Sequence, residues 1–467
     1  MMEPAPKPVP VTPSLAIALS GGGHRATLFG LGALMYLVDA GRQRDTTSIA
    51  SVSGGSLANG FLAQTLDFRK TDPAAFDQKV VAAVARQIAL RGTLFASRFT
   101  MFYLLCLVSG FAVIFLPWWL CWEAPWWLRL LLSLGLLMSW GWLLRQRGWV
   151  CARAFKTTLF SPTGPPTRLA DIAKNPSHIL CATEIRTAES VYFAGDFVYC
   201  FTFGPGLPGN MPLYRAVQAS AAFPGGFPPA RLSTSTLGFK GKPRRGPDRI
   251  PDQLVLSDGG VYDNMGDQWA RGFSNRTTLW PELSSDKPAP NRLVVVNSSA
   301  RVPWIPFRLD RIPLVSELAA FFRVTDIMYV NTTNVRRQDI VQSFDPLAPV
   351  RLGQVPGALV QIAQSPFDVA DSFANIEGNP IRVRARAVLA ALEEENRKGW
   401  KAIALENSSV ATTLSKLGTE VSARLLYQGY VVAMCNLHVL FGTGEDPDGD
   451  WPLLKIPMLE RFTALAQ

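Results

Sequence analysis

From Phe99 to Trp122 the chain runs for 24 residues without a charge, and from Ala124 to Leu144 for another 21 with only Arg129. At about 1.5 Å per residue, either run as a helix covers a hydrocarbon layer of roughly 30 Å. Pro117 and the turn Glu123-Ala124-Pro125 divide the two. Eight of the 13 tryptophans lie between Trp118 and Trp149, and five (Trp118, Trp119, Trp122, Trp126, Trp127) surround the turn, where a membrane interface would want them. Arg129 stands near one end of its run, a place from which its head can snorkel. The expectation is a helical hairpin that crosses a bilayer twice. A hairpin buried in a large soluble core is disfavoured by this length without charge. A re-entrant hairpin in one leaflet is the other reading.

The flanks set an orientation. Arg91 and Arg98 precede the pair, Arg145, Arg147, Arg153 and Lys156 follow it, and the turn carries only Glu123. The positive-inside rule puts both flanks in the cytoplasm. Two crossings keep the segments before and after the hairpin on one side, where they can share a domain.

The apolar excess sits mostly here. Overall 48% of the 467 residues are hydrophobic and 18% charged, with mean hydropathy +0.14, against about 25% charged in an average soluble domain. That excludes a largely disordered chain. The length suits roughly two to four domains, or one large domain with insertions. The net charge of +10 suits anionic lipid, and with no long Lys/Arg run nucleic acid is not expected as a partner. Cys106, Cys121, Cys151, Cys181, Cys200 and Cys435 are scattered without metal spacing, so a reduced compartment is the default. With only His24, His178 and His438, a histidine-cluster mechanism has little to draw on. Residues 1–13, Pro-rich with one Lys, read as a flexible tail and not as a signal peptide.

Outside the hairpin, the pattern is strand, glycine turn, helix. Leu15–Leu19 is a strand running into Ser20-Gly21-Gly22-Gly23-His24-Arg25, with a helix from about Ala26 to Ala40. Ser48–Val52 is a second strand, and Ser53-Gly54-Gly55 turns it into another helix. Such repetition marks a parallel α/β sheet. Further strands are expected at His178–Ile185, Val191–Phe203, Asp252–Ser257, Arg292–Asn297 and Leu359–Ile362. Helices are expected at Met211–Ala222, within Glu317–Phe344, and at Ile381–Asn396 and Ser408–Leu440. The Gly-, Pro- and Lys/Arg-rich stretch Ser233–Arg249 reads as a loop.

Three turns carry chemistry. Ser51-Val52-Ser53-Gly54-Gly55 has the small residues two before and two after a serine that a nucleophile elbow requires, although its first position is Ser51 where the usual pattern has Gly. Alone it is a weak signal. The loop Gly21-Gly22-Gly23 precedes a helix and can aim N–H groups at a phosphate or an oxyanion. A P-loop would need Gly-Lys-Ser/Thr, where this chain has Gly-His-Arg-Ala. Gly21, Gly23 and Ala26 formally match a dinucleotide fingerprint, but no acidic residue follows at the right spacing. Ser257-Asp258-Gly259-Gly260 is a carboxylate on a tight turn, alone most simply a capping Asp.

Together the three resemble the patatin-like phospholipase family, with its Gly-Gly-Gly-x-Arg loop, Gly-x-Ser-x-Gly elbow and Asp-Gly-Gly/Ala turn in that order. Ala219-Ser220-Ala221-Ala222-Phe223-Pro224-Gly225-Gly226-Phe227-Pro228-Pro229 and the run Asp258–Gly266 also look like family segments. The resemblance covers residues 15–98 and 150–270. It implies a three-layer α/β/α hydrolase domain, here with an inserted transmembrane helical hairpin. It implies that Ser53 is the nucleophile and Asp258 its base, a Ser–Asp dyad needing no imidazole. It implies an oxyanion hole from Gly21, Gly22 and Gly23 with Gly54, the N–H groups of Gly22, Gly23 and Gly54 being the donors. Arg25 would orient the loop or meet a lipid phosphate, and His24 would fill the variable position of the loop.

The expected organisation is a tail (1–13), a first part of the catalytic domain (14–98), the hairpin (99–147), a second part bearing the base (148–300) and a mostly helical C-terminal part (301–467). The expected activity is hydrolysis of acyl esters of membrane glycerophospholipids, of phospholipase A or lysophospholipase type, through an acyl-enzyme. No cofactor or metal is expected. Membrane lipids are the expected partners, and the protein would be a two-pass membrane protein with its catalytic domain in the cytoplasm. The rivals are a neutral-lipid or thioester acyl hydrolase or transacylase, and a membrane-anchored scaffold that keeps the fold only for binding.

Overall fold

The computed structural model describes residues 14–239, 244, 248–283, 287–299, 313–343, 346–347, 355–442 and 450–467. The expected tail at residues 1–13 and part of the 233–249 loop lie outside the described residues. Ten strands share one sheet: β1 (Leu15–Leu19), β2 (Thr46–Val52), β3 (Ser177–Glu184), β4 (Glu189–Phe193), β5 (Val198–Cys200), β6 (Gly204–Gly206), β7 (Ala230–Ser233), β8 (Gln253–Asp258), β9 (Arg292–Asn297) and β10 (Gly357–Gln361). Their order is β10-β9-β1-β2-β3-β4-β5-β6, with β8 beside β3 and β7 beside β8. From β10 to β3 neighbours are parallel, and from β3 to β6 antiparallel. The expected strand Val191–Phe203 is thus a tight hairpin of β4 and β5.

The sheet is mostly apolar throughout because both faces are covered. Leu15, Ile17 and Leu19 of β1 point into the larger core, while Ala16 and Ala18 meet Met265, Leu293, Val295 and Ile340 on the opposite face. Farther along, Ala50, Val52 and Ile179 lie on the second face against Trp269 and Phe273. The principal helices are α1 (Gly23–Asp39), α2 (Gly54–Thr65), α3 (Arg98–Val113), α4 (Trp126–Arg145), α5 (Arg147–Phe155), α6 (Leu213–Ser220), α7 (Gly260–Asp263), α8 (Pro313–Ser343) and α9 (Thr419–Phe441). α1 packs along α9, with Tyr36 meeting Tyr430 edge to face at 5.9 Å.

One feature of the register positions the site. Val52, the last residue of β2, pairs with Cys181 of β3. Asp258, the last residue of β8, pairs with Ala182, the next residue of β3, and runs antiparallel to it. The two strands therefore point at each other along β3. One residue step is about 3.3 Å, so the ends that carry Ser53 and Asp258 converge.

The expected continuous helix Ser408–Leu440 is two helices, Arg397–Ser409 and α9. Gly418, at φ +84°, turns the chain into α9. The intervening residues 410–418 cross to the glycine-rich loop: Thr413 accepts the N–H of His24 at 3.0 Å, and Leu414 accepts that of Thr93 at 3.1 Å.

α3 and α4 stand together outside this domain. Val108 is 70% exposed and Trp119 85%. Arg98–Leu120 and Trp126–Phe160 are each long and apolar enough to cross a membrane. Tyr103 donates to the carbonyl of Leu143 at 2.9 Å and Trp140 to that of Leu107 at 2.9 Å, which ties the pair antiparallel. Pro117 does not end the first run. α3 stops at Val113, and Pro117 sits in the first turn of a short helix, Leu116–Leu120. Proline clashes with the carbonyl four residues back, here that of Val113, so the break falls before it. Arg129 turns back to the turn itself, donating to the carbonyls of Ala124 at 2.8 Å and Trp122.

Candidate active site

Ser53 joins β2 directly to α2 and holds φ +50°, ψ −116°. A non-glycine residue in such a region carries roughly 1–3 kcal/mol of strain. The following position tolerates no side chain: a Cβ on Gly54 would collide with the carbonyl of Gly23. Ser51 adds a side chain where the elbow pattern has glycine, and the fold uses it. Its hydroxyl donates to Ile179 at 3.1 Å and accepts from Ser56 at 3.0 Å and Asn59 at 2.9 Å.

Ser220, in the Ala219–Pro229 segment, braces the elbow from the other side. Its hydroxyl accepts the N–H of Ser53 at 3.2 Å and donates to Cys181 at 2.6 Å. Its carbonyl accepts the N–H of Gly259 at 3.2 Å, and that of Ala222 accepts the N–H of Asp258 at 3.0 Å. This one segment thus holds the backbones of both Ser53 and Asp258. The sequence pattern marked the segment without revealing that role.

Asp258 is 1% exposed. Its Oδ1 accepts the N–H of Gly260 at 2.8 Å, while Oδ2 is buried with no hydrogen-bond partner among the described residues. Burial pushes the carboxyl up to about 6; the Gly260 N–H and then the nearby Ser53 hydroxyl pull the other way. The Ser53 hydroxyl thus favours the charged carboxylate, although no hydrogen bond from it to Oδ2 is formed. A buried carboxylate oxygen without a partner calls for an explanation, and a carboxylate so placed has the chemistry of a proton acceptor.

The glycine-rich loop closes the other side. Gly22 and Gly23 have φ +138° and +58°. Among the described residues the N–H groups of Gly22, Gly23 and Gly54 have no hydrogen-bond partner. Gly21, expected as part of the oxyanion loop, differs: its N–H donates to the carbonyl of Asn264 at 2.9 Å. Thr27 links loop and elbow, donating to the carbonyls of Gly54 at 2.8 Å and Gly23 at 3.2 Å.

Arg25 is 1% exposed. Its guanidinium donates to the carbonyls of Ser298 at 2.9 Å and Val410, and to the Thr412 hydroxyl at 3.3 Å. Burial without a carboxylate lowers it to about 10. These bonds clamp the loop to residues 410–412 and hold the guanidinium away from the surface. His24 is buried, one ring nitrogen 2.8 Å from the Ser415 carbonyl and the other 2.9 Å from the Thr93 hydroxyl, and burial lowers it to about 4. His178 is buried against Asn59 at 2.7 Å and lowered to about 3. His438 bonds to the Trp451 carbonyl at 2.7 Å.

An acidic pair follows the turn. Asp263 accepts the N–H groups of Met265, Gly266 and Gln268, and buried Asp267 beside it is held well above the ordinary carboxylate range by burial and by Asp263. A cavity of about 380 Å³ lies between β4–β5 and the helices after the turn, lined by Tyr192, Tyr199, Tyr262 and Arg276; neither Ser53 nor Asp258 lines it. Among the described residues no group of His, Cys, Asp and Glu has the arrangement of a metal site.

The family described as Patatin, patatin-like phospholipase, matches residues 17–266, over half of the chain. No curated protein matches. Among solved structures, human GIVD cytosolic phospholipase A2 in complex with methyl gamma-linolenyl fluorophosphonate aligns at 12% identity with a TM-score of 0.42, covering 97% of this chain and 59% of that one. Human GIVD cytosolic phospholipase A2 aligns in a second structure at 13% identity with a TM-score of 0.35, covering 62% and 46%. VipD from Legionella pneumophila aligns at 12% identity with a TM-score of 0.27, covering 98% and 90%. The chain thus spans about half to three fifths of the human chains it matches.

Proposed function

This chain belongs to the patatin-like phospholipase family, and on that premise, which makes it a lipid acyl hydrolase at family level, we propose that it cleaves acyl esters of membrane glycerophospholipids through a Ser53–Asp258 dyad. The observation that carries the reading is the orphaned Oδ2 of Asp258, whose strand end converges on that of Ser53 along β3.

Ser53 Oγ attacks the ester carbonyl while Asp258 Oδ2 takes its proton. The carbonyl oxygen becomes an oxyanion and accepts from Gly22, Gly23 and Gly54. A preorganised donor of this kind contributes roughly 2.7–4 kcal/mol to lowering the barrier. Collapse breaks the ester C–O bond, and the lysolipid leaves with the proton from Asp258. Water then attacks the acyl-Ser53 ester while Asp258 takes its proton; the C–O bond to Ser53 breaks, Asp258 returns the proton to Ser53 Oγ, and the fatty acid leaves with the enzyme restored. The buried, engaged histidines support a base other than imidazole.

α3 and α4 are read as a two-pass anchor inserted at residues 99–147 between the nucleophile part (14–98) and the base part (148–300), with both parts cytoplasmic. Their exposed apolar surface and the cationic flanks support this. Residues 301–467 complete the domain, and the contacts of 410–415 with the glycine-rich loop support that assignment.

The test compares wild type with Ser53→Ala and Asp258→Asn on phospholipids, lysophospholipids, triacylglycerol and acyl-CoA, reading released fatty acid. Wild-type turnover lost in both variants is the expected result, and the substrates that respond separate phospholipid from neutral-lipid or thioester chemistry. Full activity in Ser53→Ala would refute the dyad, and silence of wild type on the whole panel would favour a scaffold.

A further inference from the structure

The hairpin meets the catalytic domain at a collar of positive charge. Arg98 opens α3, Arg145 closes α4, and Arg147, Arg153 and Lys156 follow within three turns. They are drawn together: the Arg153 guanidinium lies 4.7 Å from the centre of the Phe99 ring, and Ser97 is 3.4 Å from Thr157, hydroxyl to hydroxyl. Between Asp77 and Asp171 the only acidic residue is Glu123, at the far end of the hairpin. Among the described residues none of the five cations has a carboxylate partner. Uncompensated cations around the base of an apolar hairpin are complementary to a layer of anionic phosphates.

The collar is continuous with the site. α4 passes into α5 through Gln146 alone, which stays in helical conformation. In the first turn of α5 a Cβ on Gly148 would lie 3.4 Å from Pro228. Pro228 belongs to the loop that starts at Phe223, directly after Ala222, whose carbonyl holds the backbone of Asp258. Phe223 is 44% exposed, and Trp149 beside the collar is 53% exposed. An exposed Phe and Trp on a cationic rim suit the headgroup layer, where apolar rings and charged heads are both accommodated.

We propose that this collar and the Phe223 loop form a docking surface for the phosphates of an anionic bilayer, which lays Phe223 in the headgroup layer at the mouth of the Ser53–Asp258 site. The proposal rests on the membrane-anchored hydrolase reading above and adds what that reading lacks: the lipid charge to which the domain responds, and the edge through which substrate enters.

The test uses the full chain reconstituted in vesicles of phosphatidylcholine alone, or mixed with phosphatidylglycerol. Phe223→Cys carries an environment-sensitive fluorophore, with Cys106 and Cys121 replaced by Ser, the other four cysteines being buried. The expected result is strong quenching by lipid carrying a spin label on its headgroup, only when phosphatidylglycerol is present. At least half of it should be lost in Arg147→Gln/Arg153→Gln/Lys156→Gln, and retained in Arg147→Lys/Arg153→Lys. Equal quenching in both vesicle types, or in the Gln and parent proteins, overturns the proposal. So does a fluorophore response to soluble RNA that matches the response to vesicles. A second readout is the ratio of vesicle-lipid to soluble short-chain ester hydrolysis. It should rise severalfold with phosphatidylglycerol and fall back in the Gln variant, and a constant ratio overturns the proposal. A chain that hydrolyses nothing sinks the catalytic reading alone, because the quenching still decides the docking.

Discussion

The N–H of Gly21 donates to the carbonyl of Asn264 at 2.9 Å. The bond joins the glycine-rich loop to the segment behind Asp258, so the proposed donors and the proposed base are held in one frame although they lie far apart in sequence. An added methyl at Gly21 would sit 2.5 Å from Asn264 Oδ1 and 3.3 Å from the Ser53 Cβ. Gly21→Ala should therefore push these two apart. We expect kcat to fall by about 10²-fold, the order of effect that a misplacement near 1 Å produces, with little change in KM. Steady-state kinetics on a soluble ester checks this, and an unchanged kcat would show that the frame does not matter.

The pH dependence follows from Asp258. As the proposed base it must be ionised, so kcat/KM should rise with pH through a midpoint near 6. The sign for stability is opposite. Because the folded protein raises this carboxyl, Asp258 favours folding below the ordinary carboxylate range, and that contribution is lost as pH rises through about 6. Asp258→Asn should remove both trends. His24 and His178, lowered to about 4 and about 3, stay neutral across this limb. Diethylpyrocarbonate should leave it in place, and loss of the limb on histidine modification would contradict the assignment.

Ser53 pays for its placement in backbone strain. Glycine adopts φ +50° without that penalty. Ser53→Gly should lose activity yet gain about 1 kcal/mol in stability, the scale of a relieved backbone outlier less the extra chain entropy of glycine. Thermal unfolding in detergent measures it. A less stable Ser53→Gly would show that the side chain contributes more to packing than the backbone costs.

Much of this was legible because it is local. The elbow, the glycine-rich loop and the Asp258 turn each need small residues at fixed offsets, and all three fold where their spacing indicates. The rest depends on long-range pairing. Nothing beside Arg25 in sequence points to Val410, 385 residues away. A glycine triplet does not announce that the N–H of Gly21 is already engaged by Asn264. The helical periodicity from Ser408 masked the turn at 410–418, where Thr412-Thr413 and Gly418 were the available signals. The break at Ile114 follows from the reach of Pro117 over one turn, which composition alone does not locate.

The proposed anchor has a direct test. Alkaline carbonate should leave the full chain in the membrane pellet, and release into the supernatant would contradict an integral hairpin. A cysteine replacing Glu123, with Cys106 and Cys121 replaced by Ser, should react with an impermeant reagent added outside intact cells. Labelling only after permeabilisation would reverse the orientation.

The braces around Ser53 arrive late in synthesis. β2 and the elbow are made early, but β3, against which β2 and β8 align, follows the hairpin, and the Arg25 clamp waits for residues 410–412. A nascent chain that has exposed Ser53 therefore carries an elbow without its braces. The arrangement around Ser53 forms only once most of the polypeptide has left the ribosome, by which time the hairpin has already emerged. On the function proposed above, order of manufacture leaves an interval in which the chain is made before its dyad is assembled.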